Sequence, residues 1–412
     1  MRVAFYAPLK PPSHPVPSGD RRIARLLLKA LRLKGHEVRV VSNFRSFEGK
    51  GDRAKQAAIK RQSAVEAKRL LRTKLKGWRP DLWFTYHLYQ KAPDWLGPPL
   101  AKALGIPYLV AEAAYAPRRS KGRWDQGLAA VAAALRRADT ALMLNPNDEE
   151  CVVPLLRKRL GAIHTVDDFL VTGKDFVPWI RSAAIRPAAA EPLLPFLETM
   201  PYRAAYAQRE RHRRAVARRF RIPPAPPWLL AVGMMREGDK LASYRLLARA
   251  LTGLEHRRWR LLVVGDGPAR GAVGAAFARL RKRIHFLGAL GEADLVPIYA
   301  ACDLYVWPAI NEAIGMSILE AQAAGLPVVA GDVGAIGVVV APGVSGRLVP
   351  EGRAAPFHRA VAGLLAQPKL RREMAKAAAA GAALFHDIDA AAAHLDTVLR
   401  AAVARGGKKR RQ

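Results

Sequence analysis

The sequence predicts an α/β protein of two consecutive doubly wound units, and three observations carry that expectation. The chain has 412 residues, half of them hydrophobic, enough for two or three domains with sizeable cores. Short strand-like runs alternate with longer runs of helical period through both halves, the rhythm of parallel sheets covered by helices. Glycine and proline mark the joints between these runs.

Element by element, RVAFYAPL (2–9) reads as a buried strand, followed by a proline-rich loop and a helical pattern over 21–35 that Gly35 closes. EVRVVS (37–42) is the second strand, so the opening is a β-loop-α-β unit with parallel strands. A long basic helix is expected over 53–77, strands at 81–86, 107–112 and 140–145, and helices around 94–104 and 124–138. Residues 151–205 show no clean period and several prolines, and read as the end of the first domain plus an irregular connection. A helix over 206–220 leads through RIPPAPP into the second unit. There, strands are expected at 228–233, 259–268, 284–288, 303–308 and 326–331, the second ending in a glycine-rich turn. Helices are expected at 241–251, 295–302 and 314–325, with an Ala-rich helical remainder from about 354. The domains read as 1–205, 206–385, and a C-terminal helix with basic tail, 386–412, that packs back.

Composition narrows the partners. Lys and Arg number 68 against 34 Asp and Glu, a net charge of +34 that attracts polyanions: nucleic acid, anionic lipid or phosphorylated substrates. The same excess is also what solvated, Arg-rich faces produce. No zinc-finger spacing or RNP-like signature accompanies it, which disfavours nucleic acid. The two cysteines, Cys151 and Cys302, exclude a disulfide scaffold and fit a reducing compartment. No long apolar run or signal peptide is seen, so the cytoplasm is expected. The basic helix interleaves Lys68, Arg69, Arg72, Lys74 and Lys76 with Leu70, Leu71, Leu75 and Trp78, the pattern of a helix lying on an anionic membrane or packing its apolar side on its own domain.

The strongest chemical signal is NEAIGMSILEAQAAGLPVVAGDVGAIGVVV (311–340). Glu312 leaves a strand, where doubly wound sheets bind ligands, and Glu320 follows eight positions later in a helix beginning near Gly315. Eight residues at helical rise span roughly 12 Å, about the distance from a sugar to the ribose of a nucleotide-sugar. Between the carboxylates, the N–H groups of Gly315, Met316 and Ser317 would face a phosphate. Two solvated glutamates on a surface helix would give the same spacing.

This segment resembles the signature of retaining glycosyltransferases of family 4, a Glu-x7-Glu before a helix ending Ala-Gly-x-Pro-Val-Val. GVSGRLVP (343–350), VVGDGP (263–268) and SGDRRIARLLLKALRLKGHEVRVVS (18–42) resemble further family segments. The resemblance implies a GT-B fold, two Rossmann-like domains facing across a cleft, and a nucleotide-sugar donor as co-substrate. It also implies a glycan or lipid-linked acceptor, with a place in cell-envelope, polysaccharide or lipopolysaccharide synthesis. By resemblance, Glu312 contacts the donor sugar, Glu320 the ribose, and Gly19 the loop approaching the phosphates. Arg236 and Lys240 neutralise the diphosphate, although Met234 stands where the family more often has Arg. The family often has a His after the strand matching 107–112; here Glu112 is closest, and His87 lies on a neighbouring strand, as a catalytic or a structural residue. Neither a metal nor a cofactor is expected: the single Asp-x-Asp string, Asp387 and Asp389, sits where a helix N-cap explains it. A sugar-nucleotide isomerase or phosphorylase on the same fold, and a noncatalytic polyanion binder, are the alternatives.

Overall fold

The computed structural model describes residues 1–16, 18–156 and 190–408. Most of the irregular connection expected over 151–205, and the last four residues of the basic tail, lie outside the described residues. The chain forms two compact units, one of Met1–Leu194 with Ile388–Gln412 and one of Pro195–Asp387.

In the first unit, six strands alternate with helices: β1 (Arg2–Tyr6), β2 (Glu37–Ser42), β3 (Leu82–Leu88), β4 (Tyr108–Ala113), β5 (Thr140–Met143) and β6 (Ala190–Pro192). They lie in the order β2-β1-β3-β4-β5-β6, every neighbouring pair parallel. β3 to β5 are almost wholly buried, the burial pattern of a parallel sheet covered on both faces. The helix Gly19–Leu33 buries Ile23, Leu27 and Leu31 on one stripe and is capped by Ser18, whose side chain accepts from the Arg21 N–H. The final helix, Ile388–Lys408, packs against it, with an Asp396 carboxylate oxygen 3.0 Å from His36 Nε2.

The basic helix runs from Arg53 to Arg72 and is capped by Asp52. Leu70, and beyond the helix Leu75 and Trp78, are buried in the first unit's core. The apolar residues that an interfacial helix would sink into lipid are therefore consumed by the protein's own packing, and of that set only Leu71 stays exposed. The five interleaved cations remain at the surface.

The second unit carries β7 (Trp228–Val232), β8 (Arg260–Val264), β9 (Ile284–Gly288), β10 (Leu304–Trp307), β11 (Val328–Asp332) and β12 (Gly346–Pro350). Their order is β12-β11-β10-β7-β8-β9, again with parallel neighbours. Both orders reverse direction once, between β1 and β3 in the first unit and between β7 and β10 in the second. Such switch points are where open α/β sheets bind ligands.

Among the elements that differ from the sequence expectation, three bear on the packing. β6 lies inside the stretch read as irregular, and its three residues are too short to show a period. β12 escaped because Gly346 starts it; a Cβ there would lie 2.4 Å from the Val328 carbonyl oxygen. The helix expected over 206–220 runs Arg209–Phe220, and a separate helix, Thr199–Ala207, occupies the end of the stretch read as irregular, the two meeting at Gln208. Past the break, Arg209 and Arg213 both clamp Asp303, at 2.6 and 2.9 Å, so tertiary ion pairs rather than an apolar stripe seat the second helix.

Candidate functional site

At the second unit's switch point, the chain leaves β7 through Gly233–Gly238 and enters the helix Asp239–Thr252, of which Lys240 is the second residue. From β10 it enters a loop that carries Glu312. The Lys240 ammonium is ion-paired with Glu312 Oε2, so the two residues join the strands that flank the switch. The Trp307 indole N–H donates to the same oxygen at 3.3 Å, and the ammonium lies 5.3 Å from the Trp307 ring centroid.

The loop's shape is over-determined. Ala309 and Asn311 both take left-handed φ, 58° and 50°, which costs each of them about 1 kcal/mol. Three bonds hold that conformation. The Asn311 N–H donates to Glu351 at 2.6 Å, its side-chain amide to Asp239 at 2.9 Å, and the Ile310 N–H to the Ser243 hydroxyl at 3.0 Å. Gly334 closes the loop from the other side, where a Cβ would stand 2.2 Å from the Glu312 carbonyl oxygen.

The helix Met316–Ala323 follows, with Gly315 at its N-cap in left-handed conformation and no side chain capping it. Its first-turn N–H groups, the anion-binding set expected of Gly315, Met316 and Ser317, are thus not taken by a capping side chain. The helix begins four residues after Glu312, so the interval to Glu320 is half loop, and a uniform helical rise does not describe it. Glu320 itself is 5% exposed and accepts from the Tyr299 hydroxyl at 2.7 Å. Burial beneath the helix replaces the surface position that the spacing suggested. Arg236 is exposed in the loop after β7.

At the first unit's switch point, Gly19 opens the helix after β1, with nothing within 4 Å of where its Cβ would be. Asp20 follows, and its Oδ1 lies 3.2 Å from His87 Nδ1 at the end of β3. On the far side of His87, Glu112 Oε1 lies 3.7 Å from the same nitrogen. The register pairs Tyr86 with Ala111 and Leu88 with Ala113, which sets His87 opposite Glu112 on β3 and β4. Both have left-handed φ, 64° and 59°. The structure therefore brings the two sequence-selected residues together at a paired kink.

Electrostatics there are set by crowding. Burial pushes the His87 imidazole down, but the Glu112 and Asp20 carboxylates outweigh it and hold its pKa up at about 9. Burial raises Glu112. Burial and then the Glu112 charge raise Asp148, in the loop after β5, to about 6. Asp20 is lowered: burial opposes its ionisation, and the hydrogen bond and charge of His87 overcome it. A histidine so placed is a cationic donor at neutral pH rather than a base.

Sequence reasoning missed Asp20 and Asp148 in the first unit and Trp307, Tyr299 and Tyr305 in the second. Asp20 adjoins the selected Gly19, and Asp148 follows the strand TALM by five residues, so strand-end position could have found both. Nothing in the sequence marks the aromatics, which read as core. Asp387 immediately precedes the helix Ile388–Lys408, and its carboxylate also accepts from the N–H and hydroxyl of Thr199, the first residue of the helix Thr199–Ala207. Among the described residues no group of His, Cys, Asp and Glu is arranged to hold a metal ion, and no helix is long and apolar enough to cross a membrane.

Comparison with known proteins places this geometry. Residues 226–367 match the family model described as Glycosyl transferases group 1. The D-inositol 3-phosphate glycosyltransferase of Segniliparus rotundus is 37% identical over 151 residues, covering 35% of this chain and 32% of that protein. Such alignments span from 30% to 65% of the length of the curated relatives. Among solved structures, a glycosyltransferase from Rickettsia africae superposes with a TM-score of 0.68 at 14% identity, covering 97% of this chain and 98% of that one. HepE from Anabaena in complex with UDP superposes at 0.66 and 14% identity, covering 97% and 100%. The chain therefore has the GT-B fold of two Rossmann-like domains, and over residues 226–367 it is similar to the glycosyl transferases of group 1.

Proposed function

We propose that the chain is a glycosyltransferase that moves a sugar from a nucleotide-sugar donor to a glycan or lipid-linked acceptor, with retention of configuration, in cell-envelope or polysaccharide synthesis. The observation that carries this reading is the Lys240–Glu312 pair across the β7/β10 switch point, beside a helix start without a side-chain cap. Glu312 accepts hydroxyls of the donor sugar. Lys240, Arg236 and the N–H groups at Gly315, Met316 and Ser317 take up the negative charge that develops on the departing diphosphate. Glu320 serves the ribose and Gly19 the phosphate-side loop. In the first unit, His87 donates to substrate oxygens, and Glu112 stands beside it as the acceptor-side carboxylate. Retention follows from same-face attack, in which the leaving phosphate takes the acceptor proton. No resident metal or cofactor takes part in this scheme.

The relatives support a donor of the UDP class: HepE binds UDP. The test is a panel of UDP-, GDP- and ADP-sugars with glycan and lipid-linked acceptors, scored by release of nucleoside diphosphate and by product anomer. Release with transfer is expected. Epimerised donor in the absence of acceptor would point to an isomerase, and no binding of any donor would end the reading.

The basic surface supports adsorption to anionic membrane as the place of work. Lys68, Arg72, Lys74 and Lys76 are exposed, and a depression of about 510 Å³ is lined by Lys50, Arg53, Lys121 and Arg123. With Leu70, Leu75 and Trp78 packed inside, that adsorption is electrostatic rather than insertive and is lost as salt rises. Flotation with anionic vesicles at low and high salt checks it; equal binding to neutral vesicles would count against it.

A further inference from the structure

Strand β10 presents Tyr305 and Trp307 on one face, two residues apart, and each reaches a polar residue of the segment that follows. The Tyr305 hydroxyl donates to Ser317 Oγ at 2.8 Å, while the Trp307 indole N–H lies on Glu312 Oε2 at 3.3 Å. Trp307 is itself fixed. It is 1% exposed, its ring meets Tyr244 edge to face at 5.0 Å, and Tyr244 donates to the Gly233 carbonyl at 2.7 Å. Gly233 leaves room for the indole, since a Cβ there would lie 3.1 Å from it. One rigid ring thus touches the carboxylate, the ammonium and the glycine loop of the switch point. Tryptophan suits this place because it alone joins a large flat face for a cation to an N–H at its edge.

We infer that Trp307 is a positioning residue for the donor sugar: it holds Glu312 and Lys240 in one arrangement before any substrate arrives. This rests on the proposed function, because Glu312 must be the group that meets the sugar. Left to itself, a half-buried lysine–carboxylate pair samples several rotamers. The indole N–H selects the Glu312 rotamer that leaves Oε1 for a hydroxyl, and the ring face keeps the ammonium beside it. The expected consequence is selective. The nucleoside diphosphate reaches Trp307 only through Lys240, and that contact is with the ring face, whereas the sugar depends on the Glu312 rotamer that the indole N–H selects. Deleting the N–H while keeping an aromatic face should therefore spare the first and weaken the second.

The experiment compares wild type, Trp307→Phe, Glu312→Gln and the double variant. Phe keeps an aromatic face between Tyr244 and Lys240 but removes the N–H together with one ring of a buried indole, so Tm is measured beside binding and each affinity is read on folded protein. The ligands are the nucleotide-sugar that gives the fastest release in the donor panel and its free nucleoside diphosphate. Trp307→Phe should weaken the nucleotide-sugar about 5- to 20-fold, leave the nucleoside diphosphate within 2-fold, and have no further effect in the Glu312→Gln background. Equal losses for both ligands, or effects that multiply in the double variant, would overturn the positioning role and make Trp307 a packing residue. The two readings fail separately: a wild type that binds no donor sinks the proposed function, whereas a wild type that binds donor beside an unaffected Trp307→Phe sinks only this inference.

Discussion

The two sheets place an ion pair at the same topological spot and give it opposite polarity. In the first unit the helix after the first strand brings the carboxylate, Asp20, and the strand across the switch brings the cation, His87. In the second the helix brings the cation, Lys240, and the loop across the switch brings the carboxylate, Glu312. Both carry left-handed non-glycine residues where the chain leaves the sheet. The difference lies in how the strain is met. The second unit surrounds its pair with aligned bonds from Trp307, Ser243, Asp239 and Glu351. The first leaves His87 Nδ1, Glu112 Oε2 and the Tyr86 hydroxyl buried without a well-formed hydrogen bond. A pair braced by its neighbours is preorganised, whereas the crowded one keeps buried polar atoms without a well-formed bond.

The largest expected effect separates the two sites by turnover. Glu312→Ala removes the second unit's carboxylate and should lower kcat by about 10²- to 10³-fold, the scale of losing one group aimed at the reacting centre. Tm should hardly move, because Lys240 retains access to water and the loop keeps its backbone bonds. His87→Gln, which removes the cation but keeps an N–H donor and both carboxylates, should cost about tenfold less. Steady-state rates on the best donor measure both, and a Glu312→Ala enzyme at wild-type rate would break the assignment of chemistry to the second unit.

The next effect belongs to the first unit alone. The His87 pKa of about 9 lies above the ordinary value of an unfolded histidine, so the folded state binds the proton more tightly. The associated stability is present in full below pH 6.5 and is lost as pH rises through 9, an upper bound of about 3 kcal/mol. Asp148 works in the same direction at lower pH: its raised value, about 6, means that ionisation weakens the fold as pH climbs from 4 to 6. Chemical denaturation of wild type and His87→Gln at pH 6 and pH 10 should show wild type losing the advantage. Parallel curves would mean that Asp20 and Glu112 do not hold the proton.

Much of this contrast was legible in the chain. Glu312, Lys240 and the GMS start of a helix sit at strand ends, and a strand followed by a helix is visible from apolar runs and glycine. His87 and Glu112 were legible as strand-end polar residues too. Their facing each other was not, because register between β3 and β4 depends on pairing residues 25 positions apart in the chain (112 − 87). The fate of Leu70, Leu75 and Trp78 was also hidden: an apolar stripe beside lysines looks the same whether it meets lipid or the protein's own core. Glu320 shows the same limit, since a helical carboxylate reads as exposed until Tyr299 is found beneath it.

That buried carboxylate gives a smaller, thermodynamic test within the second unit. Glu320→Ala strands the Tyr299 hydroxyl in the core, which costs about 1–3 kcal/mol. Glu320→Gln retains an acceptor for Tyr299 and should recover most of it. Thermal melts of the two variants, beside Glu312→Ala, should therefore rank Glu320→Ala lowest. A Glu320→Ala protein as stable as wild type would mean that the bond to Tyr299 carries no stability, and would leave the proposed ribose contact as the carboxylate's one role.

The smallest expected effect is none at all, and it bears on how the two units divide their charge. In the proposed scheme the departing diphosphate would take its fixed positive charge from Lys240, Arg236 and the helix start at Gly315, without an ion. A divalent cation placed there would meet those positive groups and would have to compete for Glu312, whose Oε2 already holds Lys240 and the Trp307 N–H. The first unit is richer in carboxylates, but Asp20 and Glu112 are turned on His87, a cation that repels a metal as it pairs with them. Asp387, the one member of an Asp-x-Asp string that might have served, is bound to Thr199. Transfer should accordingly proceed within about 2-fold of its normal rate in excess chelator, with Mg²⁺ or Mn²⁺ adding nothing when restored. Activity that disappears with chelation and returns with metal would show that the fixed cations are insufficient. It would also move the search for a ligand set to the carboxylate-rich first unit, where Glu112 and Asp148 are the groups most readily freed by a change in pH.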